Sequence, residues 1–336
     1  MAIITVVGAG MMGSALCVPL VDAGHDVRLV GTHLDGDIID SLRQSGTHPK
    51  LRLELPRAIR PFPIAELEQA MQGAEIIGVG VSSPGVGWAR EQLAPYVRPE
   101  IPIAMITKGL EWNGSALSVL PDVLALPNGA APAAIAGPCI AGELARRVET
   151  CVVLTGRDGA MLERIARAFA TPYYHLFPSA DVIGVETSAA LKNAYAMGIA
   201  FATGLHERRG GQPGSVAMHN AESAVFAQAV LEMQHIVRVI GGDPGSVPGL
   251  AGVGDLDVTT NGGRTGRFGR FLGLGLARDE AIARMEGATL ECLDILAVLE
   301  AALPTLEGER LPLLRHMIDV AIKGDPVNLP FQKFFR

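Results

Sequence analysis

Three glycines near the start of the chain restrict its fold more than any other feature. They stand at the spacing Gly8-x-Gly10-x-x-Gly13 in VVGAGMMGSAL (6–16), directly after the apolar run IITVV. Between a strand and a helix, this spacing leaves room for a diphosphate to approach the backbone, and the N–H groups at the helix start face the anion. The context predicts a dinucleotide-binding turn, and the alternative is a tight turn with a purely structural role.

The first half of the chain alternates short apolar runs with stretches of helical character. The runs are IITVV (3–7), DVRLV (26–30), EIIGVGV (75–81), IPIAMIT (101–107), AAIAG (133–137) and TCVVLT (150–155). Such alternation is typical of a mostly parallel sheet covered by helices. We therefore predict an α/β Rossmann domain over residues 1–180.

The character of the sequence changes after about residue 180. Residues 181–209 contain no proline and keep apolar or small side chains over most of their length, which predicts one long, largely buried helix. Further helices are expected at about 214–240, 264–274, 279–285, 289–303 and 311–323, with no clear strand between them. We predict an all-helical, substrate-binding C-terminal domain over residues 181–336.

Composition and charge argue against several classes of function. The chain has 336 residues and a net charge of -7, whereas a nucleic-acid partner would require massed basic residues. No apolar run approaches the roughly 18 residues that span a bilayer, and no basic region precedes an apolar segment at the N-terminus. We expect a cytoplasmic protein with a small-molecule substrate, without a nucleic-acid partner or membrane insertion.

The cysteines and histidines show no spacing typical of a metal site. Cys17, Cys139, Cys151 and Cys292 are far apart, and the eight histidines are dispersed. Such cysteines are interpreted as reduced, mostly buried thiols rather than a disulfide framework. We predict that the protein binds no metal.

The choice between NAD and NADP stays open. The acidic residue that usually binds the adenosine ribose ends the second strand, about 20 residues after the glycines. Here that place reads VGTH (30–33), with neither an acidic residue nor an arginine. Asp35 and Asp37 follow, and both are interpreted as residues of a solvated loop.

A lysine lies in the middle of the long apolar helix. Lys192 occurs in SAALKNAYA, and lysines amid so much apolar surface are rarely buried without a partner or a purpose. Hydride transfer to or from a secondary alcohol needs a group that supplies or takes the hydroxyl proton, which a lysine can do. Lys192 is therefore a candidate acid or base, and the alternative is a lysine that snorkels at the helix edge.

Seven segments resemble, in order and approximate spacing, the NAD(P)-dependent glycerol-3-phosphate dehydrogenases. They are VVGAGMMGSAL (6–16), MITKGLE (105–111), AGPCIAGELA (136–145), GVETSAALKNAYAMGIAFATGL (184–205), GLAGVGDLDVTT (249–260), GRFGRFLGLG (266–275) and MEGATLE (285–291). The resemblance spans nearly the whole chain. It implies hydride transfer between NAD(P)H and a small polyol phosphate, most simply dihydroxyacetone phosphate and sn-glycerol 3-phosphate. We also expect a homodimer.

Carried over position by position, the resemblance assigns roles to individual residues. It makes Lys192 the proton-transfer residue, oriented by Asp255, with Lys108 as a further catalytic group between cofactor and substrate. Substrate contacts are implied at Lys108, Gly137, Cys139, Asn193, Asp255, Thr259, Gly263, Arg264 and Thr265. Cofactor contacts are implied at Gly8, Gly10, Met11, Met12, Gly13, Lys108, Ala141, Arg264 and Glu286.

Three positions depart from the family pattern. Cys139 stands where the family has serine in GPSFA, and Gly263 and Thr265 flank Arg264 where the family has SRN. We predict from these exchanges fewer hydrogen bonds to a substrate phosphate, since a hydroxyl or an amide is lost or exchanged at each position.

Two other functions stay open on the sequence. The substrate could be a different hydroxy compound, such as a sugar derivative or a hydroxy acid held by Arg264, as the ketopantoate reductases illustrate. More remotely, the chain could be a cofactor-binding regulator without catalysis. The presence of Lys108, Lys192, Asn193 and Asp255 argues against a regulator, because a sensor needs only the cofactor site.

Overall fold

The chain forms two compact units. The computed structural model describes residues 1–126, 129, 131–212 and 219–335. The first unit, the sheet unit, comprises Met1–Lys108 and Val119–Val182, and the second, the helical unit, comprises Gly109–Ser118 and Ile183–Arg336.

Strands and helices alternate in the first half, and helices follow in the second. The strands are β1 (Ile3–Val7), β2 (Asp26–Val30), β3 (Thr47–His48), β4 (Leu53–Glu54), β5 (Arg60–Phe62), β6 (Ile76–Val79), β7 (Ile103–Met105), β8 (Leu110–Trp112), β9 (Leu117–Val119), β10 (Ala133–Ala136), β11 (Thr150–Thr155) and β12 (Tyr174–Ser179). The helices are α1 (Met11–Asp22), α2 (Gly36–Ser45), α3 (Leu67–Met71), α4 (Val86–Leu93), α5 (Leu120–Leu124), α6 (Ala141–Leu144), α7 (Gly159–Phe169), α8 (Val182–Arg208), α9 (His219–Val239), α10 (Asp255–Gly262), α11 (Arg264–Gly273), α12 (Arg278–Ala283), α13 (Glu291–Ala302) and α14 (Pro312–Ala321).

Eight strands of the sheet unit form one sheet in the order β12-β11-β10-β7-β6-β1-β2-β5. Every neighbouring pair is parallel except β10 and β11, which confirms the predicted mostly parallel sheet. β1 lies between β2 and β6, so the strand order reverses direction at β1. In open α/β sheets, ligands bind beyond the carboxyl ends of the strands at such a switch point.

Helices cover both faces of the sheet. One apolar cluster joins the sheet to α1, α2, α6 and α7, and a second joins it to α3, α4 and α5. Strands buried on both faces read as nearly continuous apolar runs, which is why IITVV and TCVVLT mark β1 and β11 from the sequence alone.

The helical unit is built around α8, whose side chains from Ala189 to Ala202 are mostly buried. A helix that is apolar all round is expected in a core. Residues 213–218, which include the start of the predicted helix 214–240, lie outside the described residues, and α9 begins at His219. No strand occurs in the described part of 183–336, as predicted. Residues 109–118 of the β8–β9 hairpin also belong to this unit, and α13 packs on β8.

Within the described residues, no helix is long and apolar enough to cross a bilayer.

Candidate active site

The glycine turn follows β1 and leads into α1. Gly8 has a left-handed backbone with φ of 108°, and a Cβ there would lie 2.6 Å from the carbonyl carbon of Gly80. A Cβ on Gly13 would lie 1.9 Å from the Gly8 carbonyl oxygen. Both glycines are therefore required by close backbone contacts of the turn with α1 and with the residue after β6.

Gly10 differs from Gly8 and Gly13 because the fold does not require a glycine at this position. Its φ of -63° suits any residue, and a Cβ there would meet no atom within 4 Å. Gly10 is the N-cap of α1, whose first residues are Met11 and Met12, and no side chain caps that helix end. Open space beside N–H groups at a helix start fits the diphosphate of a nicotinamide dinucleotide.

Two buried side chains hold the peptide group of Ala9 within the turn. The Asp35 carboxylate accepts the Ala9 N–H at 3.2 Å and also the Thr32 N–H and hydroxyl at 2.9 and 2.8 Å. The neutral His48 imidazole accepts the Leu51 N–H on Nδ1, so its Nε2–H donates to the Ala9 carbonyl at 3.1 Å. Burial lowers the pKa of His48, which favours this neutral form.

The sequence-based interpretation of Asp35 as a solvated loop residue is wrong. Asp35 is buried, whereas Asp37 is exposed in the first turn of α2. The three hydrogen bonds of the carboxylate compensate the burial of its charge. His48 carried no signal in the sequence, because its partners are 39 and 3 residues away and both are backbone groups.

Lys108 lies after β7, in the sheet unit. Its Nζ donates to the Gly137 carbonyl at 3.0 Å, and its own carbonyl accepts from the Ser83 hydroxyl. Gly137 has a φ of 134°, and a Cβ there would lie 3.2 Å from Val152 Cα, so only glycine fits. The structure brings together Lys108 and Gly137, two of the predicted substrate contacts.

Two further predicted contacts belong to the same unit. Cys139 follows β10 and is half-buried against the sheet core, and Ala141 is the first residue of α6.

Lys192 and Asp255 form an ion pair inside the helical unit. Lys192 Nζ lies 2.5 Å from Asp255 Oδ1, with side chains 14% and 1% exposed. Asp255 begins α10 directly after a π-helical turn at Leu250–Gly254, and such turns are frequent at functional sites. A lysine that is only 14% exposed and is held by a buried carboxylate contradicts the alternative of a lysine that snorkels into solvent.

Glycines let α8 and α11 approach backbone to backbone. A Cβ on Gly269 would lie 2.2 Å from the Met197 carbonyl oxygen, and one on Gly273 would lie 2.6 Å from that of Phe201. The contacts advance by four residues on both helices, so the two helices run in the same direction. Continued toward their N-termini, this alignment places Asn193 level with the start of α11 at Arg264.

Glu291 joins these two predicted substrate contacts. Its carboxylate accepts the Asn193 amide at 2.9 Å and lies 4.0 Å from the Arg264 guanidinium. Glu291 is the first residue of α13 and closes the segment MEGATLE. Sequence reasoning did not select it, because only the fold brings it beside residues 98 and 27 positions earlier in the chain.

Three predicted positions support the junction of α10 and α11. The Thr259 hydroxyl donates to the Asp255 carbonyl at 2.7 Å. A Cβ on Gly263 would lie 2.7 Å from the Thr259 carbonyl oxygen, and Thr265 is buried, with 7% of its surface exposed. Gly263 and Thr265 thus have packing roles that the sequence did not indicate.

The last predicted cofactor contact, Glu286, lies between α12 and α13. It is exposed and has a left-handed backbone with φ of 53°, followed by Gly287 at 75°.

A turn with room for a diphosphate and a partly buried lysine paired with a buried carboxylate are features of a nicotinamide-dependent dehydrogenase. Comparison with known proteins identifies the family. The sequence profile described as NAD-dependent glycerol-3-phosphate dehydrogenase N-terminus matches residues 3–161, and the profile of the C-terminus matches residues 181–331.

Individual relatives agree along most of the chain. An NADP(+)-dependent glycerol-3-phosphate dehydrogenase of Archaeoglobus fulgidus is 37% identical over 287 residues, which cover 84% of each chain. A glycerol-3-phosphate dehydrogenase (NAD(P)+) of Shouchella clausii is 30% identical and covers 84% of this chain and 81% of the relative. The crystal structure of a glycerol-3-phosphate dehydrogenase from Coxiella burnetii has a TM-score of 0.82 at 26% identity, with 98% of this chain and 96% of that one covered.

This chain belongs to the NAD-dependent glycerol-3-phosphate dehydrogenase family. Membership confirms the resemblance, the fold class and NAD or NADP as the cofactor. It also confirms an NAD(P)-dependent dehydrogenase that acts on a CH–OH group.

Proposed function

We propose that this protein interconverts dihydroxyacetone phosphate and sn-glycerol 3-phosphate with NAD(H) or NADP(H). The observation that carries the proposal is the Lys192–Asp255 pair, which stands on the same helical unit as Asn193 and Arg264. Similar proteins from Archaeoglobus fulgidus and Shouchella clausii are named for this activity. Family membership supports the reaction class, and the charged groups of the helical unit support a substrate with a polar and an anionic end.

Each residue has a separate role in the reduction. A nicotinamide dinucleotide held at the Gly8–Gly13 turn would supply the hydride for the reduction. Lys192 donates the proton that the carbonyl oxygen gains, and Asp255 holds the ammonium by a charge-assisted hydrogen bond. Arg264 offers a planar guanidinium to the phosphate, and Asn193 offers an amide to a hydroxyl. In the reverse direction the same lysine, once neutral, accepts the hydroxyl proton.

A spectrophotometric screen tests the proposal. Oxidation of NADH and of NADPH is followed at fixed cofactor concentration with dihydroxyacetone phosphate and with a panel of unphosphorylated ketones and keto acids. We expect turnover with dihydroxyacetone phosphate and little with the unphosphorylated compounds. Faster turnover of a keto acid would contradict the proposed substrate and favour a hydroxy acid held by Arg264.

The cellular setting and assembly are part of the proposal. We infer a cytoplasmic protein, supported by the free thiols of Cys17, Cys151 and Cys292, as is usual in a reducing compartment. The homodimer and the absence of a nucleic-acid partner remain predictions. Light scattering of the purified protein and a binding assay with labelled duplex DNA would test them.

A further inference from the structure

The Glu291 carboxylate contacts the two side chains that the proposed function gives to the two ends of the substrate. One oxygen accepts the Asn193 amide at 2.9 Å, and the other lies 4.0 Å from an Arg264 nitrogen. The three residues stand on three different helices, α8, α11 and α13. Glu291 is thus an acidic group placed from a third helix between a hydroxyl-binding and a phosphate-binding side chain.

Asn193 and Arg264 bind Glu291 with the groups that would bind a substrate. An amide NH₂ and a guanidinium are hydrogen-bond donors, and an oxygen acceptor on a carboxylate competes with one on a phosphate or a hydroxyl. A phosphate at Arg264 would also bring negative charge within a few ångströms of the carboxylate, where like charges repel. Substrate binding must therefore weaken or displace the Glu291 contacts.

Exposure shows that this displacement is feasible. The side chains of Arg264 and Glu291 are 45% and 56% exposed, and their separation is at the outer limit of an ion pair. Pairs of this kind contribute little to stability. A dianion can replace the carboxylate at Arg264, at a moderate cost to its own affinity.

We propose that Glu291 sets the affinity of this site for phosphorylated substrates by competing for Arg264 and Asn193. The inference rests on the proposed function for the identity of the substrate. Glu291 acts on specificity and contacts no reacting atom. It supplies a physical reason for weakened phosphate binding other than the exchanges at Gly263 and Thr265.

Three variants separate this competition from other effects. Glu291→Gln removes the charge and keeps an oxygen that can accept the Asn193 amide, whereas Glu291→Ala removes both contacts. Glu300→Gln is the matched control, because it removes the same charge from the same helix nine residues further on. Steady-state kinetics with dihydroxyacetone phosphate give KM and kcat. Calorimetric titration of the protein with inorganic phosphate gives an anion affinity that does not depend on turnover.

For Glu291→Gln we expect KM for dihydroxyacetone phosphate and Kd for phosphate to fall about three- to tenfold, with kcat within about twofold of the natural protein. Glu291→Ala should do at least as much, and Glu300→Gln should change neither constant. The inference is overturned if both constants stay within about twofold or rise, or if kcat falls in parallel, as for a structural residue. If the natural protein does not turn over dihydroxyacetone phosphate while Glu291→Gln still binds phosphate more tightly, the proposed substrate is wrong and the competition at Arg264 stands.

Discussion

The glycine turn of the sheet unit (8–13) and the lysine cluster of the helical unit are held together by different kinds of contact. The lysine cluster comprises Lys192, Asn193, Asp255, Arg264 and Glu291. The turn itself consists of closely packed backbone: Gly8 and Gly13 lie against backbone carbonyl groups, and the buried side chains of Asp35 and neutral His48 bind the N–H and carbonyl of Ala9. The cluster is held by side chains, through the Lys192–Asp255 pair and the contacts of Glu291.

This difference separates cofactor binding from chemistry. A site whose ligand-facing groups are backbone is sensitive to added side-chain volume at the place of the ligand. A site made of charged side chains is sensitive to loss of one charge or one hydrogen bond. Variants of the turn should therefore change cofactor affinity, and variants of the cluster should change kcat or the KM of the substrate.

The largest effect is expected for Lys192→Ala. A positioned acid or base contributes roughly 10² to 10⁴ in rate, so kcat should fall at least about 100-fold while NADPH affinity changes little. Lys323→Ala is the matched control, because Lys323 also pairs with an aspartate, at 2.8 Å, but is exposed two residues after the end of α14.

The variant must also fold for this result to count. Removal of Lys192 leaves Asp255 buried without this cation, and a broken buried pair can destabilise a protein. Lys192→Ala combined with Asp255→Asn removes both charges, and thermal unfolding followed by circular dichroism reports on folding. Turnover close to that of the natural protein in a folded variant would remove Lys192 from the mechanism.

The second-largest effect is expected for Gly10→Val. The fold has room for a side chain at Gly10, so the protein should fold, but the branched side chain would occupy the place of the diphosphate. NADH and NADPH should bind at least about 100-fold more weakly, since several charge-assisted hydrogen bonds are lost. Fluorescence titration measures this. Gly159→Val is the control, because Gly159 is also at a helix start with open space. Unchanged affinity in Gly10→Val would mean that the turn has only a structural role.

Sequence reasoning recovered the elements whose pattern is local. β1, β2 and β11 were predicted with the observed bounds, and α8 and α11 within a residue at each end. β12 was missed because YHLFPS contains a proline and polar residues and lies at the sheet edge, where both are tolerated.

The candidate site shows the same limit. Lys192 stood out locally as a lysine in an apolar helix, and the resemblance named Asp255 as its partner. α10 was not predicted because DLDVTTNG is rich in weak helix formers. Asp35, His48 and Glu291 were missed because each acquires its role from contacts that only folding creates. The sequence pattern therefore selects candidate reacting groups, whereas Asp35, His48 and Glu291 become visible only in the structure.

A third effect should appear in the stability of the helical unit. Glu232 is buried on α9 and accepts hydrogen bonds from Tyr195, Gln228 and the first N–H groups of α14. Burial raises its pKa from 4.5 to about 7. Between these values the folded protein binds more protons than the unfolded chain, so its stability falls as pH rises. The loss attributable to Glu232 amounts to at most about 3 kcal/mol.

Glu232→Gln should remove this pH dependence. The free energy of unfolding of the natural protein should fall relative to that of the variant between about pH 5 and pH 8, measured by urea denaturation. Glu280→Gln, an exposed residue paired with Arg284, should show no such relative change. A constant difference between the natural protein and Glu232→Gln across this range would show that Glu232 is ionised throughout.

The smallest effect, of opposite sign, is expected from His48 in the sheet unit. Burial lowers its pKa below 6.5, so the unfolded chain binds more protons than the folded protein as the pH falls below about 6.5, and stability is lost toward acid.

The variant His48→Leu removes the two neutral hydrogen bonds of His48, each worth about 0.5 to 1.5 kcal/mol. The Ala9 carbonyl keeps the Ser14 hydroxyl at 3.1 Å, so the turn should persist and NADPH affinity should fall only a few-fold. His48→Gln, with an amide that can donate to the same carbonyl, should recover part of the affinity. Unfolding and NADPH titrations at pH 5.5 and 7.5 should show the variant and the natural protein closer in stability at the lower pH. An equal difference at both values would mean that the imidazole does not titrate in this range, so His48 would not make the stability of the turn depend on pH.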